Sequence, residues 1–152
     1  MLNRREVLSH SATVAGLLAT AGLLPTQAQA AFNAAAFEAK TMADLMKVLG
    51  GSAPAESKDV VITGPDIAEN GAVVPVGVST TLPGAKRLLL LVEKNPAMLA
   101  AIFDLTDAVE PSISTRVKMG QSSNVFAVAI TADNKVLDAA KEIKVTLGGC
   151  GG

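Results

Sequence analysis

From Asp59 to Leu147 the chain is written as short apolar runs cut by turn residues, and this cadence constrains the fold more than any other feature of its 152 residues. The runs are Val60 to Thr63, Ala72 to Thr80, Arg87 to Val92, Ala97 to Leu105, Ile113 to Met119, Val125 to Thr131, Val136 to Leu137 and Glu142 to Leu147. Between them stand Gly64-Pro65-Asp66, Glu69-Asn70-Gly71, Leu82-Pro83-Gly84, Asn95-Pro96, Gly120 to Asn124 and Ala132-Asp133-Asn134. In such segments glycine supplies left-handed backbone, proline fixes φ, and Asn or Asp side chains bond their own main chain. The spacing predicts a mainly β protein, a sandwich of about seven or eight strands over residues 58–147 with an immunoglobulin-like layout.

Ile113, Thr115, Val117 and Met119 alternate with Ser114, Arg116 and Lys118, as a strand with one wet face should, and Ile143, Val145 and Leu147 alternate with Lys144 and Thr146. Two runs break the alternation. Leu88 to Val92 and Val125 to Ile130 are apolar on both faces, so each needs cover on two sides. That cover comes either from the N-terminal helix and neighbouring loops or from a partner chain docked on the sheet, in which case Ala127 lies on the outward, partner-covered face.

Ahead of the strands, over residues 31–51, the spacing predicts one helix from Asn33 to Leu49. Met42, Leu45, Met46 and Leu49 form a core-facing stripe, and Gly50-Gly51 ends it. Ser52 to Lys58 reads as a linker.

Residues 1–30 read as an export signal. Arg4 and Arg5 form a charged start, Ala12 to Leu24 an apolar run of about 13 residues, and Ala28-Gln29-Ala30 a cleavage site, with the cut after Ala30. The run is shorter than the roughly 20 residues a membrane-spanning helix needs. Arg4-Arg5 followed by Glu6-Val7-Leu8 resembles the twin-arginine signal, whose pathway exports folded proteins; the expected location is periplasmic.

Cleavage removes the single histidine, His10, so the mature chain has no Ser-His-Asp or Cys-His unit and no histidine metal ligand. A single cysteine makes no internal disulfide and no Cys-x-x-Cys pair. No cofactor and no metal are expected, and the chain is not expected to be an enzyme. The formal charge of −1 and the absence of Trp and Tyr give neither a phosphate-binding field nor base-stacking platforms, which excludes nucleic acid as a partner.

The one unusual chemical feature is Gly148-Gly149-Cys150-Gly151-Gly152. Four glycines deny the segment side-chain contacts and keep its backbone entropy high, so residues 148–152 are expected to be a mobile arm carrying an accessible thiol. Cys150 stands third from the end rather than fourth, which excludes a prenylation box, and it has no neighbouring ligands for a metal. Covalent carriage on sulfur and an intermolecular disulfide remain. From Gly148 to Cys150 the arm reaches about 10 Å, at roughly 3.3–3.6 Å per residue, enough to deliver sulfur into another protein's site through a narrow channel. An ordinary thiol, with a pKa of about 8.5, is only a few per cent thiolate at neutral pH, so activation is expected from the enzyme that receives the arm.

Three features together, the Arg4-Arg5 signal, the segment Asp66-Ile67-Ala68-Glu69-Asn70-Gly71-Ala72-Val73-Val74-Pro75-Val76 and the terminal Gly-Gly-Cys-Gly-Gly, resemble the SoxY family of sulfur carriers from thiosulfate-oxidising (Sox) systems. The resemblance covers essentially the whole chain. The export pattern departs from the family in Asn3 before the arginines and in Val7, where Phe is frequent.

The resemblance implies a heterodimer with a SoxZ-like β subunit and a substrate-carrying role for Cys150 as it swings between enzymes. It implies a haem enzyme, SoxAX, that joins thiosulfate to the thiol, a manganese hydrolase, SoxB, that releases sulfate, and in some organisms a molybdenum and haem sulfane dehydrogenase. Two rival readings are a structural immunoglobulin-like module dimerising through a Cys150 disulfide and a ubiquitin-like carrier activated at Gly151-Gly152. The second needs ATP, which an exported protein lacks.

Overall fold

Burying both faces of two neighbouring strands requires three layers, and residues 33–147, which the computed structural model describes, form them. Two helices, α1 (Ala34–Glu38) and α2 (Met42–Leu49), precede nine strands: β1 (Ala55–Glu56), β2 (Val60–Thr63), β3 (Ile67–Asn70), β4 (Val74–Thr80), β5 (Ala85–Val92), β6 (Leu99–Asp104), β7 (Ser112–Val117), β8 (Ser123–Thr131) and β9 (Val136–Leu147). One sheet runs β1-β9-β8-β5-β6, with β3 also paired to β9; the other runs β2-β4-β7.

The centre of the larger sheet is the antiparallel pair β5 and β8, in register Leu88↔Ala129, Leu90↔Ala127 and Val92↔Val125. Leucines lie opposite alanines, so bulk on one strand fills the space left by the other. These side chains share one core with Val74, Val76 and Val78 of the smaller sheet. Their alternates, Leu89, Leu91, Val128 and Ile130, form a second core with Ala36, Ala39, Leu45 and Met46 of the helical layer. Leu88 to Val92 are each 0% exposed, and each fully buried aliphatic side chain of this size contributes roughly 1.5–3 kcal/mol.

The cover for both apolar runs therefore comes from the chain itself and not from a docked partner. Ala127 faces the inter-sheet core rather than outward.

The helical layer differs from the single helix expected. Thr41 takes an extended conformation, accepts the Asp44 N–H at its hydroxyl (3.1 Å) and donates to the Asp44 carboxylate (2.7 Å), which starts a new helix in the middle of the periodic stretch. Ala39, also extended, ends α1, whose first turn is capped by Asn33. Two short helices can lie at different angles on a twisted sheet, and both bury their small or apolar faces there. Gly50 closes α2 with φ 71°, a left-handed position that favours glycine. Gly51 lies so close to Val136 that a Cβ would come within 2.6 Å of its methyl group.

The expected linker contains β1, which pairs in parallel with β9 through Ala55↔Leu137 and Glu56↔Asp138. Partial burial, and then the Glu56 charge beside it, push the Asp138 carboxyl above its ordinary value of 3.8. The last two expected strands are one, β9, of 12 residues. Its middle, Asp138-Ala139-Ala140-Lys141, reads as a gap in the sequence yet is paired with β8 all along its length.

Replacing Ala127 by glutamate puts a carboxylate between the sheets with no partner, so it should cost at least about 3 kcal/mol and abolish cooperative unfolding or shift it sharply. Urea denaturation followed by circular dichroism checks this; unchanged stability would mean that the inter-sheet face is open.

Candidate functional site

Every residue singled out from sequence for export or carriage, namely Arg4, Arg5, Ala28, Ala30, Gly148, Gly149, Cys150, Gly151 and Gly152, lies outside the described residues. What the structure defines is the body to which residues 148–152 are attached, and in particular the last turn of β9. Pairing with β8 stops at Ser123↔Ile143, four residues before β9 ends at Leu147. A strand end that outruns its neighbour would fray unless other groups take up its backbone polar atoms.

On one side they are taken up by the segment Asp66 to Gly71. After β2 the chain leaves the smaller sheet and lays β3 in parallel along β9, in register Ile67↔Lys144, Ala68↔Val145 and Asn70↔Leu147. The Lys144 N–H donates to the Asp66 carbonyl (3.0 Å), the Thr146 hydroxyl donates to the Glu69 carbonyl (3.1 Å), and the Gly71 N–H donates to the Leu147 carbonyl (2.8 Å). Gly71 is buried, and its own carbonyl accepts the Met119 N–H (2.7 Å). The Asn70 side chain accepts the Ala72 N–H (2.9 Å), closing the turn that carries the chain back into β4. Lys141 pairs with Asp66 at 2.7 Å, and that hydrogen bond and charge hold the Asp66 carboxyl below its ordinary value of 3.8.

On the other side stands the loop from Lys118 to Ser122. The Ser122 hydroxyl accepts the Val145 N–H (2.9 Å), occupying the place a longer β8 would have filled. The loop is pinned by Asn95, whose amide donates to the Lys118 carbonyl (2.7 Å) and accepts the Gly120 N–H (3.5 Å). Residues 144–147 are thus bonded along one edge by the Asp66 to Gly71 segment, Val145 is bonded on the other edge by Ser122, and Leu147 is the root from which residues 148–152 continue.

This root assembles no acid–base or nucleophilic constellation. Among the described residues no group of three or more His, Cys, Asp or Glu is placed to hold a metal ion. A groove of about 460 Å³ on the smaller sheet, lined by Thr63, Gly64, Pro65, Pro75, Gly77 and Arg116 among others, brings in a single ionisable side chain. The geometry is mechanical: it anchors one strand end rigidly.

Sequence reasoning read Gly64-Pro65-Asp66 and Glu69-Asn70-Gly71 as turns and overlooked β3 between them, because two apolar residues, Ile67 and Ala68, give no measurable period. Ser122 and Asn95 were overlooked as well, since a serine or asparagine in a turn-rich loop carries no signal of what it bonds at a distance.

The pattern of the family described as sulfur oxidation protein SoxY matches residues 45–150. The match includes the segment Asp66 to Val76, both sides of the root and Cys150. The sulfur carrier protein SoxY from Chlorobium limicola f thiosulfatophilum is 36% identical, with 62% of this chain and 84% of that chain covered and a TM-score of 0.56. A superoxide reductase (neelaredoxin) from Ignicoccus hospitalis is 21% identical over 57% of this chain and 78% of that chain, with a TM-score of 0.51, a likeness of fold alone. Among curated proteins none matches the chain.

Replacing Ser122 by alanine removes the acceptor for the Val145 amide. We expect hydrogen exchange at Val145 to accelerate by roughly tenfold, the equivalent of one ordinary hydrogen bond of about 1 kcal/mol, with no change at Leu90 in the core. Unchanged exchange at Val145 would show that the loop does not hold the root. With residues 45–150 inside the match, and with a 36% identical sulfur carrier of the same fold, the chain belongs to the SoxY family of sulfur oxidation proteins.

Proposed function

We propose that this chain is a periplasmic carrier that holds sulfur intermediates covalently on Cys150. The observation that carries the reading is the family match, which runs as far as Cys150 itself. Two features support it: the four glycines around the thiol, which leave it without bulky neighbours, and the anchoring of β9 up to Leu147. We read the two facing sheets as an immunoglobulin-like sandwich that serves as a rigid handle, and residues 148–152 as a swinging arm.

In the first step a SoxAX-type haem enzyme withdraws two electrons. The Cys150 thiol and thiosulfate join through a new sulfur–sulfur bond, the thiol proton is released, and Cys150–S–S–SO₃⁻ results. In the second a SoxB-type manganese hydrolase adds water across the bond to the sulfonate, releasing sulfate and leaving a persulfide on Cys150 with two protons lost. Where a sulfane dehydrogenase is present, it oxidises the persulfide sulfur. The carrier contributes the sulfur atom and its delivery; the enzymes contribute activation. A SoxZ-like subunit completes the carrier, and the Arg4-Arg5 signal, which suits export of folded protein, would take that subunit across with it.

Intact-mass analysis of the purified carrier tests this. Thiosulfate with a SoxAX-type enzyme should add the mass of the thiosulfonate group, reductant should remove it, and peptide mapping should place it on Cys150. Cys150→Ser should keep the fold and show no adduct, because a hydroxyl forms no sulfur–sulfur bond. An adduct on the serine variant, or only a dimer mass on the wild type, would overturn the reading. Replacing Arg4 and Arg5 together by lysine should leave the protein in the cytoplasm, as cell fractionation would show; normal export would refute the twin-arginine route.

A further inference from the structure

The three strands of the smaller sheet contain no acidic residue, and the one charge they carry is Arg116. Core packing fixes the side of the sheet on which it stands. Val60, Val76, Val78 and Val117 belong to the inter-sheet core, so the alternating positions, Thr63 of β2, Pro75 and Gly77 of β4, and Ser114 and Arg116 of β7, face outward. On that face β2 ends at Thr63 and the chain turns away through Gly64-Pro65, which leaves β4 uncovered along one side and opens the groove of about 460 Å³.

Gly77 lies in the middle of this groove, opposite Thr63 on one side and Ser114 on the other. A glycine inside a strand weakens it, and marks a bulge, a left-handed backbone or the close approach of another group. The ladders on both sides of Gly77 run without a register shift, and the glycines with left-handed backbone among the described residues are Gly50 and Gly84. Close approach remains. A Cβ on Gly77 would collide with the Thr63 hydroxyl, which leans over it, and would lie 3.8 Å from the Ser114 hydroxyl. Two hydroxyls thus flank a bare stretch of backbone, with the Arg116 side chain at its end.

All three polar groups are unspent. Of the two arginines among the described residues, Arg87 pairs with Asp104 (2.8 Å), whereas the Arg116 side chain has no ion pair or hydrogen bond to a described residue. The Thr63 and Ser114 hydroxyls have none either. A guanidinium offers a planar fork of donors matched to an oxyanion, each hydroxyl adds one more donor, and no carboxylate lines the groove to compete for them. A cation would be repelled by Arg116, and an apolar ligand would leave three donors unpaired. We propose that Thr63, Ser114 and Arg116 form a binding site for a small tetrahedral oxyanion of the sulfate or phosphate class, seated over Gly77 between the two hydroxyls. Nothing in this site depends on what Cys150 carries.

Nuclear magnetic resonance titration of the purified protein tests the site, with sulfate, thiosulfate and phosphate added in turn at constant ionic strength against chloride. The amides of Gly77 and Ser114 should shift and saturate with the oxyanions and not with chloride. Saturation by any of the three upholds the site, and their order identifies the oxyanion it prefers. Arg116→Gln should weaken binding about tenfold and Thr63→Val about threefold, as loss of a charged and of a neutral donor implies. Gly77→Ala keeps every donor but fills the floor of the groove, and it should abolish saturation at Ser114; Arg116 is exposed, so its variant carries the test should Gly77→Ala unfold. Lys86→Gln, which removes an exposed charge from the other sheet, should leave affinity unchanged. Absence of saturation in the wild type, or unchanged affinity in Arg116→Gln, would overturn the site. Equal weakening by Lys86→Gln and Arg116→Gln would overturn it too, since binding would then reflect overall charge alone.

Discussion

The two-sided burial of β5 and β8 is the constraint on which the rest of the structure depends. A strand with leucine at every position from Leu88 to Leu91 can be stable in water only with a layer on each face, and the chain has to supply both. The smaller sheet covers Leu88 and Leu90, and α1 and α2 cover Leu89 and Leu91. With the helices assigned to that task, they are part of the core rather than an appendage, and β1 follows naturally as the strand that carries the chain from α2 to the sheet's edge. The small residues Ala127 and Ala129 opposite the leucines keep the layers at close spacing; larger side chains there would force them apart.

Once β5 and β8 are fixed, β9 inherits a particular role. It is paired with β8 through Ile143 and then projects beyond it. Antiparallel pairing alone would leave the projecting residues to fray. The parallel addition of β3 and the single hydroxyl of Ser122 convert that overhang into a firm end, and they do so with the same segment, Asp66 to Gly71, that links the two sheets. The crossing segment therefore couples the position of the strand end to the core: Ala68 is buried in the inter-sheet cluster while its neighbours bond β9. Exposed ion pairs such as Lys141–Asp66 add little stability in water; they fix orientation more than energy.

Much of this architecture was legible in the residues, for reasons that also explain what was not. β4, β5, β7 and β8 are set by runs of apolar or alternating residues whose partners on the sheet are equally marked, so period and turn chemistry located them within a few positions. The break between α1 and α2 was missed although Thr41-x-x-Asp44 is a capping signature, because the apolar stripe of α2 continues in phase past it. β1 and β3 were missed because their pairing is determined by β9, far along the chain, and not by any property of Ala55-Glu56 or Ile67-Ala68. The even choice between self-cover and partner-cover for the apolar runs had to wait for the fold, since two faces of a strand look alike in sequence whatever lies on them. For the proposed carriage site the position was reversed: its thiol and glycines were plain in the sequence, while Ser122, Asn95 and Gly71, which hold the end of β9, carry no local mark of doing so.

The value of a firm root to a tethered thiol follows from geometry. On the proposed carrier reading, with β9 held to Leu147, Cys150 would be on a leash of three residues, and with residues 144–147 released on a leash of seven. The radius it could explore scales at most with the number of residues, so the volume would grow roughly tenfold and the thiol's effective concentration at a docked channel would fall in proportion. A longer leash would also let the arm fold back on its own sheet edge, where β9's unpaired backbone groups would compete with the channel for it. The bonds from Gly71, Asp66, Glu69 and Ser122 fix β9 as far as Leu147, and on the proposed reading the freedom of the glycine-rich segment begins there. On the proposed carrier reading, conformational entropy is thereby kept at the few residues that would enter an enzyme and removed from those that would not.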